Sequence, residues 1–123
     1  MISNAGQATV TETARLEPAG ATGQFRIDGE LDFASVPLLY LRSQEMFPDC
    51  PELTLDLAGV TRANSAGLAL LLEWLGQSRR AGRALTFENV PPGLINLAYI
   101  SELEDILPLH GRPATGPAGP SDR

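Results

Sequence analysis

Cysteine and histidine are almost missing from this sequence: Cys50 and His110 are each the sole residue of their kind in 123. A zinc site, a disulfide, a Ser-His-Asp triad and a Cys-His nucleophile pair all need parts that the chain does not supply. Lysine is absent altogether, and nine arginines face fifteen acidic residues for a net charge of −6, which argues against a nucleic-acid footprint. Long apolar runs are missing too. The longest, Leu68 to Leu72, falls far short of the ~20 residues that cross a bilayer, and the segment after Met1 has neither the basic start nor the apolar stretch of a signal peptide. The expectation is a cytoplasmic protein. No Walker A loop, G-x-G-x-x-G or G-x-S-x-G occurs, so neither ATP hydrolysis nor a serine-hydrolase elbow is expected, and no cofactor or metal is called for.

What remains is the balance of one globular domain, 43% hydrophobic and 20% charged. A chain of this size buries roughly two-thirds of its unfolded surface and needs no staple. Residues 1–7 are small and polar and read as a flexible start. Thr9 to Leu16 alternates imperfectly as a strand, Pro18 to Gly23 carries turn residues, and Gln24-Phe25-Arg26-Ile27-Asp28 alternates as a second strand hairpinned to the first. Val36, Leu39, Tyr40, Ser43 and Phe47 recur at helical spacing over residues 34–47, with Ser35 as the expected cap and Pro37 in the first turn. Leu53 to Leu57 predicts a buried strand, Ser65 to about Arg80 a helix stopped by Gly82, and Ala84 to Asn89 another strand. Leu94, Leu97, Ala98, Leu103, Ile106 and Leu107 predict a last, broken helical stretch. Two successive strand–helix–strand crossovers require parallel strands, so the class is α/β: a mixed, mostly parallel sheet with an N-terminal antiparallel hairpin. Residues 8–108 form the expected domain, and the Pro/Gly-rich stretch 109–123 reads as a disordered tail.

The segment from Leu55 to Leu72 is the informative one, because a buried strand there runs into a loop whose last polar residues, Asn64 and Ser65, stand at a helix N-terminus. Free N–H groups and the helix dipole favour an anion at such a place, so a phosphate on Ser65 would be well hosted. A plain capping role explains the same residues. At about 100° per residue Leu68, Leu71, Leu72 and Leu75 share a face toward the sheet. Ala66, Leu70, Glu73, Trp74 and Gln77 then point to solvent, which makes Leu70 and Trp74 candidate contact anchors beside small Ala66 and Gly67. The competing reading has the first helix or the chain end covering Trp74. Arg79, Arg80 and Arg83 suit the negative end of the helix, and Glu102, Glu104 and Asp105 read as a solvated face.

Gly29-Glu30-Leu31-Asp32 before an amphipathic helix, then Leu55-Asp56-Leu57 and the turn Asn64-Ser65-Ala66-Gly67-Leu68, resemble the STAS domain of bacterial anti-sigma-factor antagonists over roughly residues 8–108. The resemblance implies a STAS-like α/β domain that is not an enzyme, with Ser65 at the position phosphorylated in that family, Asn64 where its Asp stands, and Asp32 at its other recurrent acidic position. The run Gly67 to Leu72 and the end Asn96-Leu97-Ala98-Tyr99-Ile100 through Ile106-Leu107-Pro108 are most similar to the MlaB-type branch. Its members are cytoplasmic subunits of a phospholipid ABC transporter that maintains outer-membrane lipid asymmetry. The implied partner is the transporter's ATPase subunit, with membrane association only through that complex; the alternative is an anti-sigma kinase. On either reading the expected contact residues are Asn64, Ser65, Ala66, Gly67, Leu70, Glu73, Trp74 and Gln77.

Overall fold

A computed structural model describes residues 13–103 and 109–111. The elements are β1 (Ala14–Pro18), β2 (Gln24–Leu31), α1 (Val36–Met46), β3 (Glu52–Ala63), α2 (Ser65–Arg80), β4 (Ala84–Val90), α3 (Pro92–Ile100) and β5 (Leu109–Gly111). They build a five-stranded sheet in sequence order, β1-β2-β3-β4-β5. β1 pairs antiparallel with β2 and every later neighbour is parallel, the mixed sheet that the pattern of elements predicts.

Because each right-handed crossover steps in the same direction along the sheet, all three helices fall on one face, where α2 lies beside both α1 and α3. The strands are therefore two-sided. Leu53, Leu55 and Leu57 of β3 join Ile27, Leu16 and Phe87 in the core under the helices, all 1% exposed or less. The opposite face is polar, with the ion pairs Arg15–Glu17 at 2.9 Å and Arg26–Asp28 at 2.8 Å and an Asn89 amide donating to Asp56 at 2.9 Å. Period-two alternation produces this division directly.

Three boundaries differ from the sequence expectation. β3 does not stop at Leu57 but continues to Ala63. Its register against β2 slips twice, from Arg26↔Asp56 to Asp28↔Gly59 and from Gly29↔Val60 to Glu30↔Arg62, so extra residues bulge out of β3. The alternation that signals a strand is broken at those bulges and reads as loop. The last helix ends at Ile100, where Glu102 takes φ +61° and the Glu102 and Leu103 amides donate back to Tyr99 and Ala98 at 3.0 and 2.7 Å. This helix-ending hydrogen-bond pair turns the chain before Leu103. Finally, Leu109–Gly111, read as the start of a disordered tail, forms β5 beside β4, since a short backbone ladder needs no hydrophobic signature. The expected loose start, the strand residues before 13, the helical residues Ile106 and Leu107 and the remainder of the tail lie outside the described residues.

Gly82 ends α2 as expected, at φ +68°, with the Gly82 and Arg83 amides donating to Arg79 and Ser78 at 3.1 and 2.8 Å.

Candidate functional site

Parallel strands deliver their following loops to the same end of the sheet, so the β2–α1 and β3–α2 loops become neighbours. Leu31 is paired with Ala63, and the Asn64 amide donates to the Leu31 carbonyl at 3.1 Å. Glu30, Leu31, Asp32, Arg62, Ala63 and Asn64 line a shallow cleft between the two loops.

Each loop is closed by a short polar side chain. Asn64 is the N-cap of α2: its backbone is extended and its Oδ1 accepts from the Ala66 amide at 2.8 Å. Ser65 follows as the first helical residue, exposed at the N-terminus of a 16-residue helix. Its hydroxyl is therefore reachable from solvent, and a phosphate monoester there would meet the favourable end of the helix dipole. In the other loop Asp32 takes the capping role expected of Ser35. Asp32 Oδ1 accepts from the Ala34 and Ser35 amides, both at 2.9 Å. The Ser35 hydroxyl turns inward, accepting from the Asp32 amide at 3.0 Å and donating to the Glu30 carbonyl at 2.6 Å, and Ser35 is buried. The Ser35 amide holds the Asp32 carboxyl below its ordinary range against the opposing effect of desolvation, with the Ala34 amide, the Ser35 hydroxyl and nearby Arg62 acting in the same sense. Asp32 stays ionised and keeps the loop closed.

The expected contact residues divide. Asn64, Ser65 and Glu73 are exposed, and Gln77 is half-buried, donating to the Tyr40 hydroxyl at 2.9 Å. Ala66 and Gly67 are buried, and the outward placement of Leu70 and Trp74 is corrected: they are 2% and 1% exposed. Trp74 Nε1 donates to Ser43 of α1 at 2.8 Å, and its ring packs 5.5 Å from that of Phe47. Helical phase alone places Trp74 opposite the sheet, but α2 is flanked by α1 and α3 and so is covered on its sides as well. The exposed or half-exposed stripe of α2 is instead Ser65, Ala69, Leu72, Glu73, Gly76 and Arg80. Leu72, expected on the sheet, belongs to this stripe.

Large apolar side chains are exposed elsewhere, Tyr99 and Ile100 at the end of α3 among them. Phe33 is 72% exposed in the β2–α1 loop, next to Asp32, and Leu38 and Leu41 on the outer side of α1 are 43% and 61% exposed. Sequence reasoning missed Leu38 and Leu41 because it gave α1 one apolar face of Val36, Leu39, Tyr40, Ser43 and Phe47. The leftover i, i+3 pair Leu38 and Leu41 was the available signal. Phe33 shares the Ser65 end of the sheet, since both loops leave the paired ends of β2 and β3. Among the described residues no group of His, Cys, Asp and Glu could hold a metal ion, and no helix is long and apolar enough to cross a membrane.

Known proteins resemble this chain in sequence and in fold. The family model described as MlaB, STAS domain matches residues 14–108. The anti-sigma-B factor antagonist of Bacillus subtilis (strain 168) is 28% identical over 93 residues, covering 76% of this chain and 85% of that protein. The crystal structure of an anti-sigma factor antagonist from Mycobacterium paratuberculosis superposes with a TM-score of 0.64 at 19% identity, over 80% of this chain and 86% of the other, and shares the fold. With the mixed sheet, the helices on one face and Ser65 opening α2 at the β3 terminus, this chain belongs to the STAS domain family, in its MlaB-like branch.

Proposed function

We propose that this protein is a non-enzymatic cytoplasmic STAS subunit that binds and regulates the ATPase subunit of a phospholipid-transporting ABC complex serving outer-membrane lipid asymmetry. It reaches the inner membrane only through that partner. The observation that carries the reading is an exposed Ser65 hydroxyl at the sheet end that also presents an exposed aromatic, Phe33, in a chain matched by the MlaB-type model over residues 14–108. Large apolar side chains in solvent beside a polar rim are what a protein partner covers, and a partner that binds one state of an ATPase better than another shifts its population. The docking surface is accordingly Asn64, Ser65 and Glu73 of the expected set together with Phe33, Leu38 and Leu41. Buried Ala66, Gly67, Leu70 and Trp74 support it from within.

A second reading is an anti-sigma-factor antagonist switched by phosphorylation of Ser65, favoured by the likeness to the Bacillus subtilis antagonist. Titration of the purified chain with the transporter ATPase subunit, in parallel with an anti-sigma kinase and ATP, separates the two. Saturable binding to the ATPase subunit with no phosphate on Ser65 is expected. Kinase-dependent phosphorylation of Ser65 without ATPase-subunit binding would establish the second reading instead.

A further inference from the structure

The contact between α1 and α2 combines two kinds of force. Phe47, the C-cap residue of α1, packs on Trp74 at 5.5 Å and on Phe25 at 5.2 Å, a tilted aromatic group that holds the end of the helix down without fixing its rotation, since apolar attraction is non-directional. Direction comes from a polar seam. Trp74 Nε1 donates to the buried Ser43 Oγ at 2.8 Å, and Ser43 in turn donates to the Tyr40 carbonyl at 2.6 Å. Nearer the surface the Gln44 and Gln77 amides exchange hydrogen bonds at 3.1 and 3.3 Å, and Gln77 reaches the Tyr40 hydroxyl at 2.9 Å. Every residue of this seam in α1 sits within Tyr40 to Gln44, so these bonds act as one pivot in mid-helix.

Resting on the docking reading above, we infer that the Ser43–Trp74 hydrogen bond is a positioning contact that sets the rotation of α1 on α2, and thereby the register of Leu38 and Leu41 with Ser65. Side-chain atoms lie about 5–6 Å from a helix axis, so a 20° roll of α1 moves Leu38 and Leu41 by about 2 Å. That displacement exceeds what a well-packed contact tolerates. Trp74 acts on the partner without touching it.

Three variants test this: Ser43→Ala, Trp74→Phe and the two combined. Trp74→Phe leaves the Ser43 hydroxyl bonded to Tyr40, so it serves even where Ser43→Ala, which orphans a buried indole N–H, fails to fold. Residual dipolar couplings of the α1 amides measure the helix orientation against the sheet with no partner present, and isothermal titration with the ATPase subunit measures affinity in the folded variants. The expected result is a rotated or broadened α1 orientation with about tenfold weaker binding in every variant, the double change costing no more than the worse single one, because one interaction is lost once. An α1 orientation identical to the wild type would overturn the inference, as would a rotated helix with wild-type affinity. Failure of the wild type to bind the ATPase subunit would overturn the proposed function instead, and the couplings would still decide whether the seam orients α1.

Discussion

Replacing Trp74 by alanine discriminates between a solvent-facing anchor and a core residue. Trp74 is 1% exposed, packs against the tilted ring of Phe47 and is the only tryptophan in the chain. Truncating a buried Trp costs about 3–5 kcal/mol through lost transfer energy and the cavity left behind. Little is added by orphaned polar groups, because the Ser43 hydroxyl keeps its bond to the Tyr40 carbonyl and the one it receives from the Gln44 amide at 3.1 Å. Against a total stability of about 5–15 kcal/mol this is a large share, and at about 4 °C per kcal/mol for a domain of this size the melting temperature falls by about 12–20 °C. Urea unfolding followed by far-UV circular dichroism reads the loss directly, since the variant has no tryptophan fluorescence to follow. The midpoint should drop with the slope unchanged. A loss below about 1 kcal/mol in a variant that keeps the wild-type spectrum would refute the core assignment.

Four further outcomes are expected. Phe33→Ala, at a site 72% exposed, should change folding stability by less than about 0.5 kcal/mol, yet weaken ATPase-subunit binding by about 1–2 kcal/mol in titration calorimetry. Ser65→Asp should likewise keep its melting temperature, because a negative charge suits a helix N-terminus, while its binding weakens through desolvation of an unpaired charge; unchanged binding would leave Ser65 as a first-turn residue only. Gly67→Ala brings a Cβ to 2.9 Å from that of Leu31, so overpacking should outweigh the better helix propensity and leave the variant about 1–2 kcal/mol less stable in urea; a stabilised variant would show that α2 can move off β2 at no cost. The Asp32 carboxyl is depressed in the folded state, so its contribution is present above the ordinary value near 3.8 and is lost as pH falls through the lower folded value. Asp32→Asn should flatten that acid part of the stability profile, and identical profiles would remove the loop-closing role.

Local order in this protein was written in short-range patterns. Alternation in Gln24–Asp28 and Leu53–Leu57, the Asn64 cap, and Gly82 at positive φ depend on neighbours in the chain, and the structure keeps each of them. Strand–helix alternation together with the handedness of crossovers was enough to reach a mixed, mostly parallel sheet. The Ser65 turn was also legible, since a buried strand running into a cap is a local event. Sidedness was not local. Whether Trp74 faces water depends on α1, more than 25 residues earlier, lying alongside α2 with Ser43 opposite the indole, and helical phase contains no information about a flanking helix. The same holds for Phe33, Leu38 and Leu41, whose exposure follows from the Asp32–Ser35 hydrogen bonds that aim the loop and from Leu39 and Ser43 taking the inner face of α1. β5 and the far half of β3 needed the neighbouring strand to exist at all, because backbone pairing satisfies N–H and C=O groups whatever the side chains spell. Sequence periodicity determined the helices and most of the strands, and the cap signal placed Ser65 at the start of α2; only the packing of helix against helix decided which helix faces reach solvent.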